Sequence, residues 1–169
     1  AFMAPLGGGA SSGADKLHVI FAIATNEPEP FAGMVETDLK LMDDEIELIA
    51  FHTGLSLNKK VFKGKDFTQP IVAGALRNLS AGPNDVILFY YSGHGFRTKK
   101  KRSKWSYHAF PDKTTRVKPM DFAWVIQTLK GKGARLTIAL TDACNNVVNI
   151  KVKQDQSMRI MAKSNLARG

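Results

Sequence analysis

The sequence predicts an α/β protein: a three-layer α/β/α sandwich built on a mostly parallel sheet. Apolar segments of strand length alternate along the chain with segments whose apolar residues recur at helical spacing. Such alternation favours parallel strands joined by right-handed crossovers, with helices on both faces of the sheet. The chain has 169 residues, 44% of them apolar, which suits one domain with a sizeable core.

The first predicted strand covers residues 17–24, which are followed by Asn26 and two prolines. A helix is predicted from Glu36, with Gly54 beyond its end. The apolar face of this helix is formed by Leu39, Met42, Ile46 and Ile49. Acidic residues occupy its other faces, so we expect the helix to cover one side of the sheet.

A short strand near residues 60–62 and a helix capped by Thr68 are predicted next. The apolar stripe of that helix consists of Ile71, Val72, Ala75, Leu76 and Leu79. Residues 86–91 are apolar throughout, as is typical of a central strand covered on both faces of a parallel sheet.

A third helix is predicted to end at Gly131 and Gly133, and residues 136–140 to form another buried strand. The apolar positions of this helix are Phe122, Val125, Ile126 and Leu129.

Two of the predicted strands end in polar sequences, one containing His94 and the other Cys144. Functional groups of parallel sheets gather at the carboxyl ends of the strands, so we expect both residues at one crevice. A thiol needs a base or a positive neighbour to become a nucleophile near neutral pH, and a histidine supplies one. Flanking glycines allow close approach of a substrate backbone.

Cys144 is the only cysteine, so it forms no internal disulfide and has no cysteine partner for a structural zinc site. Taken alone, a cysteine after a buried strand is more often a small core residue, and a histidine between glycines can be a loop residue. Their joint placement at two strand ends favours thiol chemistry.

Residues 90–95 (YYSGHG) and 142–144 (DAC) resemble the two signature blocks of caspases and metacaspases. His94 lies about 50 residues upstream of Cys144, the spacing found in caspases. The resemblance extends from Leu17 to about Val152. It implies a caspase-like fold, corresponding to the large-subunit core, and a cysteine endopeptidase acting on polypeptides.

The resemblance also implies the roles of individual residues. Cys144 would attack the scissile carbonyl, and His94 would help to form the thiolate and protonate the leaving amine. The backbone N–H groups of Gly95 and Cys144 would form the oxyanion hole. The family generally works with a dyad, and no third residue is predicted.

Three further residues are predicted to bind substrate. In extended backbone, residues two apart share a side, which places Asp142 with Cys144 and Ser92 with His94. Caspases cut after Asp and usually have Gln at the position of Asp142, whereas metacaspases have Asp there and prefer Arg or Lys. Asp38 resembles a second acidic pocket residue of metacaspases, so we expect cleavage after Arg or Lys. The alternatives are a strand-end cap for Asp142 and a solvated helix acid for Asp38.

The expected organisation is a flexible leader (1–15), a catalytic domain (16–152) and a polar tail (153–169). Too few residues follow Cys144 for the small subunit that completes the caspase sheet, which indicates either a truncated chain or a processed large subunit with a separate partner. Basic residues of the tail that suit self-cleavage are Lys153, Lys163 and Arg168. Many metacaspases bind calcium near the tail, but only Asp155 is acidic there, so no metal or other cofactor is predicted.

Residues 97–104 carry six basic side chains, a large part of the net charge of +9. Three interpretations stay open: a solvated loop, an anion- or nucleic-acid-binding segment with Trp105 and Tyr107 as stacking surfaces, or a loop controlling access to the active site. Nucleic acid is the less favoured partner. A catalytically inactive scaffold or regulator is another alternative.

No apolar run reaches the roughly 18 residues that a membrane span needs. The cytoplasm and secretion after removal of a signal both fit the sequence.

Overall fold

A computed structural model describes residues 15–112 and 117–149. The elements are β1 (Lys16–Ile23), α1 (Phe31–Thr53), β2 (Ser56–Phe62), α2 (Gln69–Asn78), β3 (Val86–Ser92), β4 (Gly95–Thr98), β5 (Tyr107–Phe110), β6 (Lys118–Asp121), α3 (Phe122–Lys130), β7 (Leu136–Asp142) and β8 (Val147–Val148). A single turn of 3-10 helix, Gly64–Asp66, precedes α2. No helix in these two ranges is both long and apolar enough to cross a bilayer.

The centre of the fold is a four-stranded sheet in the order β2-β1-β3-β7, with every neighbouring pair parallel. All seven residues of β3 are buried. Strands that are covered on both faces can carry apolar side chains on both, which is why β3 lacks the alternation of a half-exposed strand. The predicted parallel sheet and its central strand are therefore confirmed.

Helices cover both faces of this sheet. On one face α1 buries Val35 and Ile46 against alternate residues of β1 and β3, beginning with Leu17 and Val86. On the other face α2 and α3 pack against the intervening residues, including Ile87 and Phe89. The three-layer α/β/α prediction is confirmed.

The helices differ from prediction at their ends and at the edges of their apolar faces. α1 begins at Phe31, five positions before the predicted Glu36, because the loop before it already provides the first helical carbonyl acceptors. Its predicted end is confirmed, since Gly54 adopts the left-handed conformation (φ 68°) that closes a helix. Ile49 and Ile71 were predicted to face the core but are each 42% exposed.

The prediction of a second fully buried strand at residues 136–140 is wrong. β7 is an edge strand, because among the described residues it pairs with β3 alone. Leu136 is 49% exposed and Leu140 is 41% exposed. Both lie in register with buried residues of β3, Val86 and Tyr90, on the face that α1 partly covers.

A second sheet was not predicted at all. Its strand order is β6-β5-β4-β8. The strands β4, β5 and β6 come from the part of the chain between β3 and α3, and β8 is the short strand after Cys144. Its strands are only two to four residues long, too short to show a period of two. Phe110 and Met120 bury their side chains in the core formed by α2 and α3.

A buried polar cluster closes the amino-terminal end of the main sheet. The Asp85 carboxylate accepts hydrogen bonds from the backbone N–H groups of Gly82 (2.7 Å) and Lys16 (2.8 Å) and from His18 Nε2 (3.0 Å). His18 Nδ1 accepts from the Asn58 amide at 3.1 Å, which assigns the ring proton to Nε2. These bonds, the one from Gly82 foremost, lower the pKa of Asp85 from 3.8 to about 2.

Asp85→Asn should therefore destabilise the fold, since an amide cannot accept from all three donors. We expect a loss of roughly 2 kcal/mol in the free energy of unfolding at pH 7, measured by urea titration. Because the folded pKa lies below the unfolded one, the contribution of Asp85 is complete above about pH 4 and disappears as the pH falls towards 2. The difference in the free energy of unfolding between wild type and Asp85→Asn should therefore shrink as the pH falls from about 4 towards 2. Asp15→Asn, at an exposed carboxylate, is the control and should change little.

Candidate active site

The turn between β3 and β4 carries His94 at the carboxyl end of the main sheet. Several bonds hold its backbone. The N–H of Gly93 donates to the carbonyl of Asp142 at 3.1 Å, and the carbonyl of His94 accepts from the N–H of Ala109 at 2.9 Å. The Tyr91 hydroxyl shares its proton between the carbonyls of His94 (2.7 Å) and Ala109 (2.9 Å). The position of His94 is thus set by three neighbouring strands.

The imidazole ring of His94 contacts two residues that the sequence analysis did not single out. It stacks on Phe31, with ring centroids 4.3 Å apart and planes inclined by 16°. Its Nε2 lies 3.5 Å from a carboxylate oxygen of Glu27. Both partners come from the junction of β1 and α1. The polar residues after β1 could have indicated these contacts, because the carboxyl end of β1 lies on the same edge of the sheet as those of β3 and β7.

Cys144 lies two residues beyond β7 with an exposed free thiol. The backbone of Gly95 packs directly against this segment. A Cβ added to Gly95 would collide with the carbonyl oxygen of Cys144 and lie 2.8 Å from the Cβ of Ala143. The structure therefore brings the His94 and Cys144 loops into contact.

The segment after Cys144 is anchored to the second sheet. The Asn146 carbonyl accepts from the N–H of Arg97 at 2.8 Å, which starts the pairing of β8 with β4. The side chain of Asn145 donates to the carbonyl of Lys104 at 3.0 Å. The cysteine loop is consequently held on both sides, by β7 before it and by β4 after it.

The three residues predicted to bind substrate lie together. Ser92 and Asp142 are register partners at the ends of β3 and β7, and the Ser92 hydroxyl donates to Asp38 at 2.8 Å. Ser92 is buried, whereas Asp142 is exposed and Asp38 is half-buried. Tyr90 lies beneath them: burial raises its pKa, and the charges of Asp38 and Asp142 raise it further. Two carboxylates thus act on one small region next to the cysteine loop.

The basic segment 97–104 is not the fully solvated loop that was one expectation. Lys101 buries its side chain, pairs with Asp121 at 2.6 Å and lies 3.9 Å from the centre of the Tyr107 ring. Burial lowers the pKa of Lys101, and Asp121 acts in the opposite direction. Tyr107 is also buried, so it offers no stacking surface to a nucleic acid. Outward-facing cations of the segment are Lys99, Lys100, Arg102 and Lys104.

His108 lies near the same loops, but its side chain is enclosed by the fold. It is completely buried, stacks on Tyr91 with centroids 3.9 Å apart, and forms a hydrogen bond with Thr141 at 3.0 Å. Burial lowers the pKa of His108 to about 3. A base that remains neutral and enclosed cannot exchange protons with a substrate, whereas the His94 side chain is 53% exposed.

Within residues 15–112 and 117–149, no three His, Cys, Asp or Glu side chains are grouped to hold a metal ion.

Replacing Gly95 by Ala should separate the two loops. The new methyl group meets backbone atoms of the cysteine loop, so we expect a loss of roughly 1 to 3 kcal/mol in stability and a changed alkylation rate of the Cys144 thiol. Differential scanning calorimetry and iodoacetamide labelling measure these effects. Gly74→Ala is the matched control: it lies in α2 with open space around it and should be neutral or slightly stabilising. Equal behaviour of the two variants would contradict the described contact.

A comparison with curated proteins finds no match for this chain. The family model of the caspase domain matches residues 33–167, well over half of the sequence. The matched stretch contains both the His94 turn and the cysteine loop, and it begins within α1, before the parallel strands that carry them. The sheet order, the two covered faces and this match agree, and the chain belongs to the caspase-domain family of cysteine peptidases.

Proposed function

We propose that the protein is a cysteine endopeptidase that cleaves after Arg or Lys, with His94 and Cys144 as its proton-transfer group and nucleophile. The observation that carries this proposal is the backbone contact between Gly95 and Cys144, which joins an exposed imidazole loop to an exposed thiol loop.

The reaction follows from the chemistry of these groups. His94 accepts the thiol proton, and the Cys144 sulfur attacks the scissile carbonyl carbon to give a tetrahedral oxyanion. The N–H groups of Gly95 and Cys144 donate to that oxygen. The carbon–nitrogen bond then breaks as His94 gives its proton to the leaving amine. Water then gives a proton to His94 and attacks the thioester carbon. The carbon–sulfur bond breaks, the acid is released, and His94 returns the proton to the sulfur to restore the thiol.

The preference for a basic residue rests on the acidic cluster Asp38, Ser92 and Asp142. The Ser92 hydroxyl donates to one Asp38 oxygen, which orients that carboxylate and leaves its other oxygen for a ligand. Asp142 is exposed two residues before the nucleophile. A guanidinium or ammonium group gains charge-assisted hydrogen bonds here, while a substrate carboxylate is repelled.

An additional polypeptide portion is proposed to complete the domain along β7. The outer edge of β7 offers unpaired backbone groups within the described residues. Beside it, Leu136 and Leu140 are exposed on the face that carries α1. Three exposed residues of α1 repeat at intervals of seven and form an apolar stripe: Met34, Leu41 and Leu48. A strand with an apolar helix would cover both surfaces, and a small subunit that completes the sheet could supply the strand.

The inactive-scaffold alternative and the anion-binding alternative are tested by two assays, peptide cleavage and oligonucleotide binding. A scaffold would cleave none of the test peptides despite correct folding. An anion-binding segment would show affinity for oligonucleotides that falls steeply with salt and depends on residues 99–104.

We expect fluorogenic peptides with Arg or Lys before the reporter to be hydrolysed, and peptides with Asp or Ala to be resistant. Cys144→Ala and His94→Ala should each lower kcat/KM by at least about 1000-fold. Asp142→Asn should lower kcat/KM for the Arg peptide by roughly 10- to 100-fold, through the lost ion pair. Asp44→Asn, at an exposed carboxylate of α1 paired with Lys40, is the charge-matched control and should retain full activity.

Several outcomes would contradict the proposal. Turnover that survives Cys144→Ala would exclude the thiol as the nucleophile. Preference for Asp over Arg, or equal effects of Asp142→Asn and Asp44→Asn, would remove the acidic cluster as the specificity pocket. Parallel assays with calcium and with a chelator test dependence on a cation.

Self-cleavage is proposed at basic residues of the tail, with Lys153, Lys163 and Arg168 as candidates. These sites, and residues 1–14 of the predicted leader, lie outside the described residues. Mass spectrometry of the longest precursor should find cuts after these residues in wild type. The same precursor with Cys144→Ala should stay intact, and adding active wild-type protein should restore cutting. Cuts that persist in the variant alone would assign the processing to another protease.

A further inference from the structure

We propose that Glu27 is a positioning residue for His94, so that the catalytic unit has a third member. This inference rests on the proposed peptidase function. It departs from the prediction that no third residue takes part, and it is carried by the two contacts of the His94 ring.

The first contact fixes the plane of the ring. Phe31 is the first residue of α1, and its ring lies nearly parallel to the imidazole at a centroid distance of 4.3 Å. Phe31 itself packs against the buried clusters on both faces of the sheet. Because the phenyl ring packs against both clusters, stacking on it favours an imidazole plane nearly parallel to the ring.

The second contact selects an orientation in that plane. A Glu27 carboxylate oxygen lies 3.5 Å from Nε2, so the Nε2–H group is the one that points to the carboxylate. Nδ1 is then left without a proton and free to accept one from the thiol of Cys144. A separation of 3.5 Å is longer than a strong hydrogen bond, and such contacts tighten when substrate binds.

The carboxylate also has an electrostatic effect. When His94 takes the thiol proton it becomes an imidazolium ion, and a nearby negative charge favours that form. Groups that face the His94 turn are Glu27 from the β1–α1 loop, the Tyr91 hydroxyl from β3 and Cys144 from the loop after β7. Of these, Glu27 is the carboxylate. Burial raises the pKa of Tyr91, and the charge of Glu27 raises it further.

The same loop offers a matched control. Glu29, two positions further along, accepts a hydrogen bond from the Gly33 N–H at 3.1 Å and thereby serves the first turn of α1. Glu27→Gln and Glu29→Gln remove the same charge from the same loop. Both residues are outside the core, with the Glu27 side chain 32% exposed, so both variants should fold with melting temperatures near wild type.

Two measurements test the proposal. Protein labelled with ¹⁵N-histidine is examined by NMR at fixed pH, with the His94 signals assigned by their loss in His94→Gln. We expect the Nε2–H proton signal of His94 to lie downfield in wild type and in Glu29→Gln, as contact with a carboxylate requires, and to move upfield or disappear in Glu27→Gln. In peptide hydrolysis, Glu27→Gln should lower kcat by about three- to tenfold with little change in KM, since the group acts on proton transfer and not on substrate binding.

The two proposals fail in different ways. If wild type cleaves no peptide but Glu27→Gln still changes the Nε2–H signal of His94, the peptidase assignment is wrong and the pairing of Glu27 with His94 stands. If wild type is active but this signal is the same in wild type, Glu27→Gln and Glu29→Gln, the positioning role of Glu27 is overturned. An equal change in both variants would show an effect of the charge of the whole loop and would overturn the positioning role as well.

Discussion

The parallel register between β3 and β7 is the constraint on which the site depends. The strands pair continuously from Val86 with Leu136 to Ser92 with Asp142, and the chain leaves both strands at the same level. A shift of one residue would turn every side chain of β7 to the opposite face. It would move Asp142 away from Ser92 and withdraw the cysteine loop from Gly95. The geometry of the site is therefore set by backbone pairing in the core.

Near the ends of these strands, buried polar side chains lie beneath the two exposed candidate catalytic residues. Tyr91 and His108 are enclosed, stacked on each other and hydrogen-bonded to backbone or hydroxyl groups, so their protonation states do not change near neutral pH. They support the turn that carries His94 from its buried side, while His94 and Cys144 are exposed to solvent. Rigid polar networks beneath exposed reactive groups limit the motion that would otherwise misalign them.

The sequence was sufficient for features that arise from burial and from local motifs. β3 was predicted because it is apolar throughout, and the His94 and Cys144 segments because their residue types are rare together at strand ends. Apolar character alone could not tell that Ile71 faces solvent or that β7 is an edge strand, because exposure depends on what packs alongside. The second sheet has strands too short for periodicity. Glu27 was missed because contact between a loop carboxylate and a distant ring leaves no pattern in the sequence.

The charge distribution is compatible with the proposed preference of a strongly basic chain for a basic substrate residue. Exposed charges separated by more than roughly 8 to 10 Å are largely screened at physiological ionic strength, so the net charge of +9 has little influence inside a pocket. Under the proposed specificity, Asp38 and Asp142 act at short range, and the Ser92 hydroxyl orients the Asp38 carboxylate. The basic segment reaches the site through the contact of Asn145 with Lys104, yet its Lys101 is held by Asp121. That ion pair binds one cation of the segment away from the two carboxylates.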